Sequence, residues 1–371
     1  MAEGHDPYDA LRARRVPSWA RRHARLRQGI IQVRKRVPID LSRVLGVEPF
    51  VMAKTCACFL AAAARAGDGQ SAAEYRRELL GAAGNLGDGA WGYEFDVQTR
   101  WSYYPYGTPN MIVTAFAGRA FGASWAQWGS QDDREEFMAA ADFARSTLFD
   151  EEAGFFRYTP LSSTLIHNAN LLGAALCAAA GVVGGRRELV DVALRAAERS
   201  IAAQRADGSW PYGEGQSLGW SDNFHTAYNL DGLLLLWLAT EREPVREALD
   251  RGVQHWVRDF FGPRGEPKYY PDKPFPYDIH TAATAVDVAA RLASWGWDTG
   301  EVAERVAAWA TAHLVDSASG QTYYQVHRVW KDKRHFVRWG DAHWALAQAS
   351  LQLVKSGRRD PLEQAVADNG R

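Results

Sequence analysis

Four histidines stand in step along this chain. His167, His225, His280 and His343 are separated by 58, 55 and 63 positions. Each belongs to a polar knot ahead of an apolar run: His167-Asn168-Ala-Asn170, Asp222-Asn223-Phe-His225, Asp278-Ile-His280 and Asp341-Ala-His343. Thr108-Pro-Asn110 occupies the matching point upstream. An imidazole exchanges a proton near neutral pH, and a carboxylate within three residues can orient it, so Asp222 with His225 and Asp278 with His280 are the leading acid–base candidates. Two chemistries suit such a set. Hydrolysis of a glycosidic bond needs two carboxyls across that bond, which Asp222 and Asp278 could supply, with Glu94 or Asp96 as substitutes. Elimination or epimerisation beside a uronate carboxylate needs that carboxylate neutralised and a base on the ring carbon. His167, His225, Asn168 and nearby tyrosines could fill those roles. Both chemistries remain open at this point. The plain alternative is that Asn and Asp at these points cap helices.

The loops that lead to these knots are rich in amphipathic rings: Trp91, Tyr93, Trp101, Tyr104, Tyr106, Trp210, Tyr212, Tyr270 and Tyr324. A ring with a hydroxyl or N–H suits a half-apolar ligand such as a sugar, although the same rings could wedge neighbouring hairpins together. A basic run through Arg328 and Arg338, close to His343, reads as an anion clamp or as a solvated hairpin. With Asn110, Asn168, Asn223 and Glu94, these rings and cations form the expected substrate-binding set. No metal or other cofactor is expected. His167, His225 and His280 could form a three-histidine site by residue type, but no cysteine stands at the mouth, and neither a Gly-rich phosphate loop nor a His-Glu-x-x-His appears.

The elements that must position these residues show as a repeat. Five turn-plus-aromatic segments recur every 54 to 63 positions, beginning at Gly87, Asp150, Asp207, Gly262 and Asp316. Each of the last four follows a striped helix: 134–149, 187–204, 244–260 and 300–314. After each signature comes a helix that is apolar all round, over about 110–121, 167–180, 225–240, 280–294 and 343–354. A helix apolar all round is buried and a striped one lies at the surface. Alternation of the two predicts an all-α fold, an α/α toroid with inner and outer helix rings, whose inner helices begin together at one polar cup. Helix N-termini there favour anionic or oxygen-rich ligands.

The division expected is a basic arm over 1–40, a toroid domain over 41–355 opening with a hairpin at 41–86, and a tail over 356–371. Ten Arg or Lys and no acid lie between Leu11 and Arg36. That arm suits peripheral contact with a membrane surface or another anionic partner, or a solvated lead-in paired with the acidic body. Nothing points to nucleic acid. Cys56, Cys58 and Cys177 are too few for a disulfide framework and read as core thiols of a reducing compartment. Without a secretory signal or an apolar run as long as a membrane span (the richest, Leu230 to Thr240, is short), a cytoplasmic protein is expected.

Gln204-Arg-Ala-Asp-Gly-Ser-Trp210 resembles the Gln-Trp repeat of terpenoid cyclases and protein prenyltransferases, which are α/α toroids. Their Asp-x-Asp-Asp proton donor and their Asp-x-Cys…His zinc ligands have no counterpart here. A closer likeness spans residues 85 to 350. Trp91-Gly-Tyr-Glu-Phe-Asp96, Tyr106-Gly-Thr-Pro109, His167-Asn-Ala-Asn-Leu171, Asp222-Asn-Phe-His-Thr226 and Arg338-Trp-Gly340 resemble a bacterial family of polysaccharide-biosynthesis-associated proteins, related in fold to six-hairpin glycosidases. That resemblance implies a toroid and a glycan context, and it brings no catalytic residue with it. Three functions compete: a glycan-processing enzyme, a cyclase or prenyltransferase-like enzyme with an aromatic cavity, and a non-catalytic glycan-binding partner.

Overall fold

The computed structural model describes residues 2–99 and 102–370, so Trp101 lies outside it. After short N-terminal helices α1 (Ser18–Arg22), α2 (Ala24–Arg36) and α3 (Ser42–Leu45), the chain runs as antiparallel helix pairs. These are α4 (Ala53–Ala66) with α5 (Gly69–Gly81), α6 (Met111–Trp128) with α7 (Gln131–Phe143), and α8 (His167–Gly184) with α9 (Arg187–Ala202). They continue as α10 (Asn223–Thr240) with α11 (Glu243–Phe260), and α12 (Ile279–Ser294) with α13 (Gly300–Leu314). Then follow α14 (Asp341–Lys355) and α15 (Pro361–Asn369). The even-numbered helices from α4 to α14 pack each on the next, and α14 returns to α4, which closes an inner ring. Helices α5, α7, α9, α11 and α13 lie outside it. This is the α/α toroid that the alternating helix types predict.

The two rings differ because their sequences do. Helix α8 is buried from His167 to Gly181, whereas α9 buries one stripe through Leu189, Val192, Ala193, Ala196 and Ala197. Inner helices α6 and α8 run several residues past their expected ends, continuing through glycines placed where helices touch. A Cβ on Gly181, just past the expected end of α8, would stand 2.8 Å from a methyl of Val190 on α9. Helix α8 is long and apolar enough to cross a membrane, which corrects the expectation that no such run exists, and 83% of that window is buried inside the ring.

The repeated turn has a structural reason. Gly208 and Gly265 both have φ +90°, and a Cβ on either would sit 2.4 Å from a carbonyl oxygen of the next outer helix, Arg251 or Arg305. Only glycine satisfies both demands. The aromatic that follows wedges in behind it: Trp210 is buried and donates to the Ser200 carbonyl at 2.9 Å.

The chain ends differ from an arm and a tail. Helix α15 packs on α6, α8 and α10 and floors the ring. The N-terminal segment folds back over the mouth: Glu3–Gly4 pairs with Phe50–Val51, Asp6 meets Arg338, and Arg34 is buried on Asp9.

Candidate active site

The inner helices start at one rim, and their second residues face one cavity of about 1070 Å³: Lys54, Ile112, Asn168, Phe224 and His280 all line it. Loops add Tyr93, Tyr158, Tyr212, Trp220, Tyr269, Tyr270, Arg338 and Trp339, and the N-terminal segment adds Tyr8, Lys35 and Arg36. Cations on this wall (Lys35, Arg36, Lys54, Arg205, Lys273, Arg338) outnumber the acids Asp207, Asp259 and Asp272.

Among the described lining residues, His225 has the geometry of a general base. Its Nδ1 lies 2.9 and 2.8 Å from the two carboxylate oxygens of Asp222, while its backbone N–H donates to Asp222 Oδ1 at 2.9 Å. A carboxylate on Nδ1 holds the proton there and leaves the Nε2 lone pair available. The ring is boxed by Phe224, Tyr212 and Trp220, the last two stacked at 4.3 Å. Asp222 therefore caps α10 and orients the imidazole at once.

His280 is neutral by construction. Burial, with Lys54 and Arg338 close by, holds it well below the ordinary histidine range. Its Nδ1 faces the Trp339 carbonyl at 3.2 Å and its Nε2 meets the Tyr228 hydroxyl at 3.0 Å. His343 packs against it, ring centroids 4.2 Å apart, and is neutral for the same reason.

Of the four histidines only His225 and His280 line the cup: His343 borders a separate small cavity inside the ring, its Nε2 4.0 Å from Cys58 Sγ, and His167 does not join them either. His167 turns outward, its Nδ1 3.0 Å from Ser200 Oγ on α9, because it is the first residue of its helix and Asn168 takes the inward position. The three-histidine cluster of His167, His225 and His280 is therefore not assembled.

Of the other expected residues, Tyr93, Asn168, Tyr212, Tyr270 and Arg338 line the cup. Asp278 is fully buried, caps α12, and accepts from Trp339 Nε1 at 2.9 Å and Gln325 at 2.8 Å. With Tyr324 it borders a smaller cavity of about 440 Å³ that shares a wall with the cup. Burial raises the Asp278 carboxyl above its ordinary range. Tyr104 stacks on the lining residue Tyr158 at 5.1 Å.

The remainder are not among the residues that line the cup. Glu94 accepts from the Ala53 N–H at 2.6 Å and so caps α4, and burial pushes its carboxyl up to about 7. Asn110 caps α6, and Asn223 bridges Trp256 Nε1 and the Lys268 carbonyl. Trp91 and Trp210 are core wedges, and Asp96 holds Tyr103 and the Tyr106 backbone. Tyr106 and Arg328 point to solvent. Sequence reasoning missed Lys54, Tyr228 and the N-terminal residues. Lys54 holds the same helix register as Asn168 and His280, but no turn signature precedes α4 to align it.

The sequence matches no family model, and no curated protein matches it. Solved structures share the toroid. Cellobiose 2-epimerase from Bacillus thermoamylovorans superposes with a TM-score of 0.63 at 11% identity, over 82% of this chain and 88% of that one. Unsaturated glucuronyl hydrolase from Bacillus sp. GL1 gives 0.61 at 15%, over 81% and 85%. D-mannose isomerase gives 0.61 at 14%, over 82% and 87%. At such identities the likeness is one of fold, and this chain has the α/α-toroid fold of six-hairpin glycosidase-like structures.

Proposed function

We propose that this protein is a carbohydrate-active enzyme that moves a proton on a sugar carbon beside a carbonyl or carboxylate, as an epimerase or isomerase does. The observation that carries this reading is the Asp222–His225 pair opening into a cup walled by aromatic rings and cations. In the first step His225 Nε2 takes the proton, the C–H bond breaks, and its electron pair moves into the carbonyl as an enediolate. The surplus of cations on the wall offsets that charge. Return of the proton to the adjacent carbon from the same nitrogen, as the hydroxyl proton passes from one enediolate oxygen to the other, gives an isomer. Return to the same carbon from the opposite face needs a second donor, a role open to the His280–Tyr228 pair.

Hydrolysis fits less well, since the carboxylates of Asp222 and Asp278 are both engaged by protein donors and Asp278 does not line the cup. Epimerases, an isomerase and hydrolases all stand among the structurally similar proteins, which supports a glycan-processing enzyme in general, and the motif resemblance supports a use in polysaccharide metabolism. The free buried cysteines fit a cytoplasmic setting.

The test is incubation in D₂O with mannose, cellobiose and glucuronate-containing oligosaccharides. Deuterium should enter at the carbon beside the carbonyl, and His225→Ala should abolish its entry. Incorporation of ¹⁸O from labelled water at a new reducing end, without deuterium, would make the protein a hydrolase.

A further inference from the structure

We propose that the sugar held by this cup carries an anionic oxygen group, a carboxylate or a phosphate, and that Lys54 receives it. This rests on the reading of the cup as a sugar site.

Lys54 is 3% exposed and lines the cavity. Its Nζ stands 4.2 Å from the ring centroid of Phe116 and 5.4 Å from that of Tyr228. Among the described residues its ammonium makes no ion pair and no hydrogen bond. The other buried cations differ: Arg34 has Asp9, Arg65 has Asp287 and Asp360, Arg291 has Asp231 and Glu363, Arg334 has Asp332, Arg338 has Asp6, and Arg27, which meets no acid, donates to Gln98 and to the Arg21 carbonyl. A buried charge without a partner is costly, so each cation of the scaffold is matched and this one is left for something else.

The surroundings select for an anion. Lys54 stands in the first turn of α4, at the positive end of that helix. Arg338 adds a second cation close by, and with burial it pushes the Lys54 amine down to about 7. An incoming oxyanion would restore the ammonium over its two rings, while Glu94 keeps its place on the Ala53 N–H at the helix terminus. Lys35, Arg36, Arg205 and Lys273 extend the positive wall above. Asn168 Oδ1, buried and unpartnered, is a ready acceptor for a sugar hydroxyl on the same floor.

Calorimetry with methyl β-D-glucuronide, methyl β-D-glucoside and D-glucose 6-phosphate tests this directly. One anionic sugar should bind at least tenfold more tightly than the glucoside, and which one identifies carboxylate or phosphate. Lys54→Met should erase the preference while Lys54→Arg retains part of it. A second measurement needs no variant: the lysine side-chain NMR titration of the wild-type protein, with and without the glucuronide and the phosphate. The titratable and charged groups around Lys54 are Cys58, Arg338, Asp6, His280, His343 and Tyr228, and binding should raise the Lys54 midpoint by more than one pH unit. Equal binding of all three sugars, no binding of any, or a preference that survives Lys54→Met overturns the proposal, as does an unmoved midpoint. Anion preference without deuterium exchange would sink the proton-transfer reading alone. Exchange on neutral sugars without anion preference would sink this one alone.

Discussion

Asp222 serves two masters, and substitution can separate them. Its Oδ1 caps α10 through the His225 N–H, and its carboxylate holds His225 Nδ1. Asparagine caps a helix about as well as aspartate but does not offer two equivalent acceptors to the imidazole. Asp222→Asn and His225→Ala are therefore expected to abolish deuterium exchange while the thermal midpoint stays within a few degrees. Unchanged exchange with a stability loss of about 0.5–2 kcal/mol would mark the junction as a cap only. Lys54 leads to the opposite kind of result. Its amine falls from an ordinary 10.5 to about 7 in the folded protein, and a tenfold change in proton affinity is worth about 1.4 kcal/mol. A depressed folded value means that the penalty is full below pH 7 and fades as pH rises toward 10.5. Lys54→Met should accordingly raise stability in ligand-free protein at pH 6, by on the order of 2–4 kcal/mol, and the gain should shrink through pH 8 to 10 in urea titrations. A gain that is independent of pH would mean that the lysine is not buried as a charge.

At the scale of elements, the N-terminal segment is part of the cup. Arg338 Nε donates to Asp6 Oδ2 at 2.6 Å, Tyr8 packs on Trp339 with ring centroids 5.8 Å apart, and Arg334 bonds carbonyls of Arg34 and Lys35. Asp6→Ala removes the partner of a buried arginine, a change that typically costs about 3–5 kcal/mol. The loss should fall on the segment first. Hydrogen exchange is expected to show residues 3–36 unprotected while α8 and α12 keep their protection, and sugar binding should weaken. Uniform loss of protection would mean that the segment and ring are one cooperative unit. The sequence showed why the ring helices form, since all-apolar and striped runs alternate at a fixed period. It did not show where the basic segment goes. That segment is held by side-chain pairs hundreds of residues apart, such as Asp6 with Arg338, and no local pattern encodes them. The site was legible to the same degree. The period located His225 and His280, whereas His167 fell one residue short of the inward position and Lys54 stood before the first signature. Helix register, at about 100° per residue, decides which neighbour faces the cup.

The whole molecule is a ring closed by its first and last inner helices, and its floor is where distant parts of the chain meet. Arg65 on α4 donates to Ser350 on α14, 285 residues away, as well as to Asp287 and Asp360. Arg291 joins Asp231, Asp287 and Glu363, and Arg119 holds Asp231 with two bonds of 2.7 and 2.8 Å. Asp360 and Glu363 belong to the α15 segment, so that helix brings two acids to a buried network as well as the apolar side chains Leu362 and Val366. Deleting residues 358–371 would strand Arg65 and Arg291 with fewer anions in a dry interior and open the bottom of the ring. Breaking one buried pair costs about 3–5 kcal/mol, and uncovering two apolar side chains adds about 1.5–3 kcal/mol each. The truncated chain is therefore expected to lose most of its stability in urea unfolding, or to collect as a loosely packed state without near-ultraviolet dichroism. Added salt should not rescue it, because buried pairs are poorly screened. The paired change Arg65→Met with Asp360→Leu should cost less than the sum of the two single changes, since it removes a cation and an anion together and leaves Asp287 its pair with Arg291, the loss of the Asp360 cap on α15 being common to the double variant and the Asp360 single. If the double variant is as unstable as the sum of the singles, the floor is held by packing geometry and the ion network has no part in closing the ring.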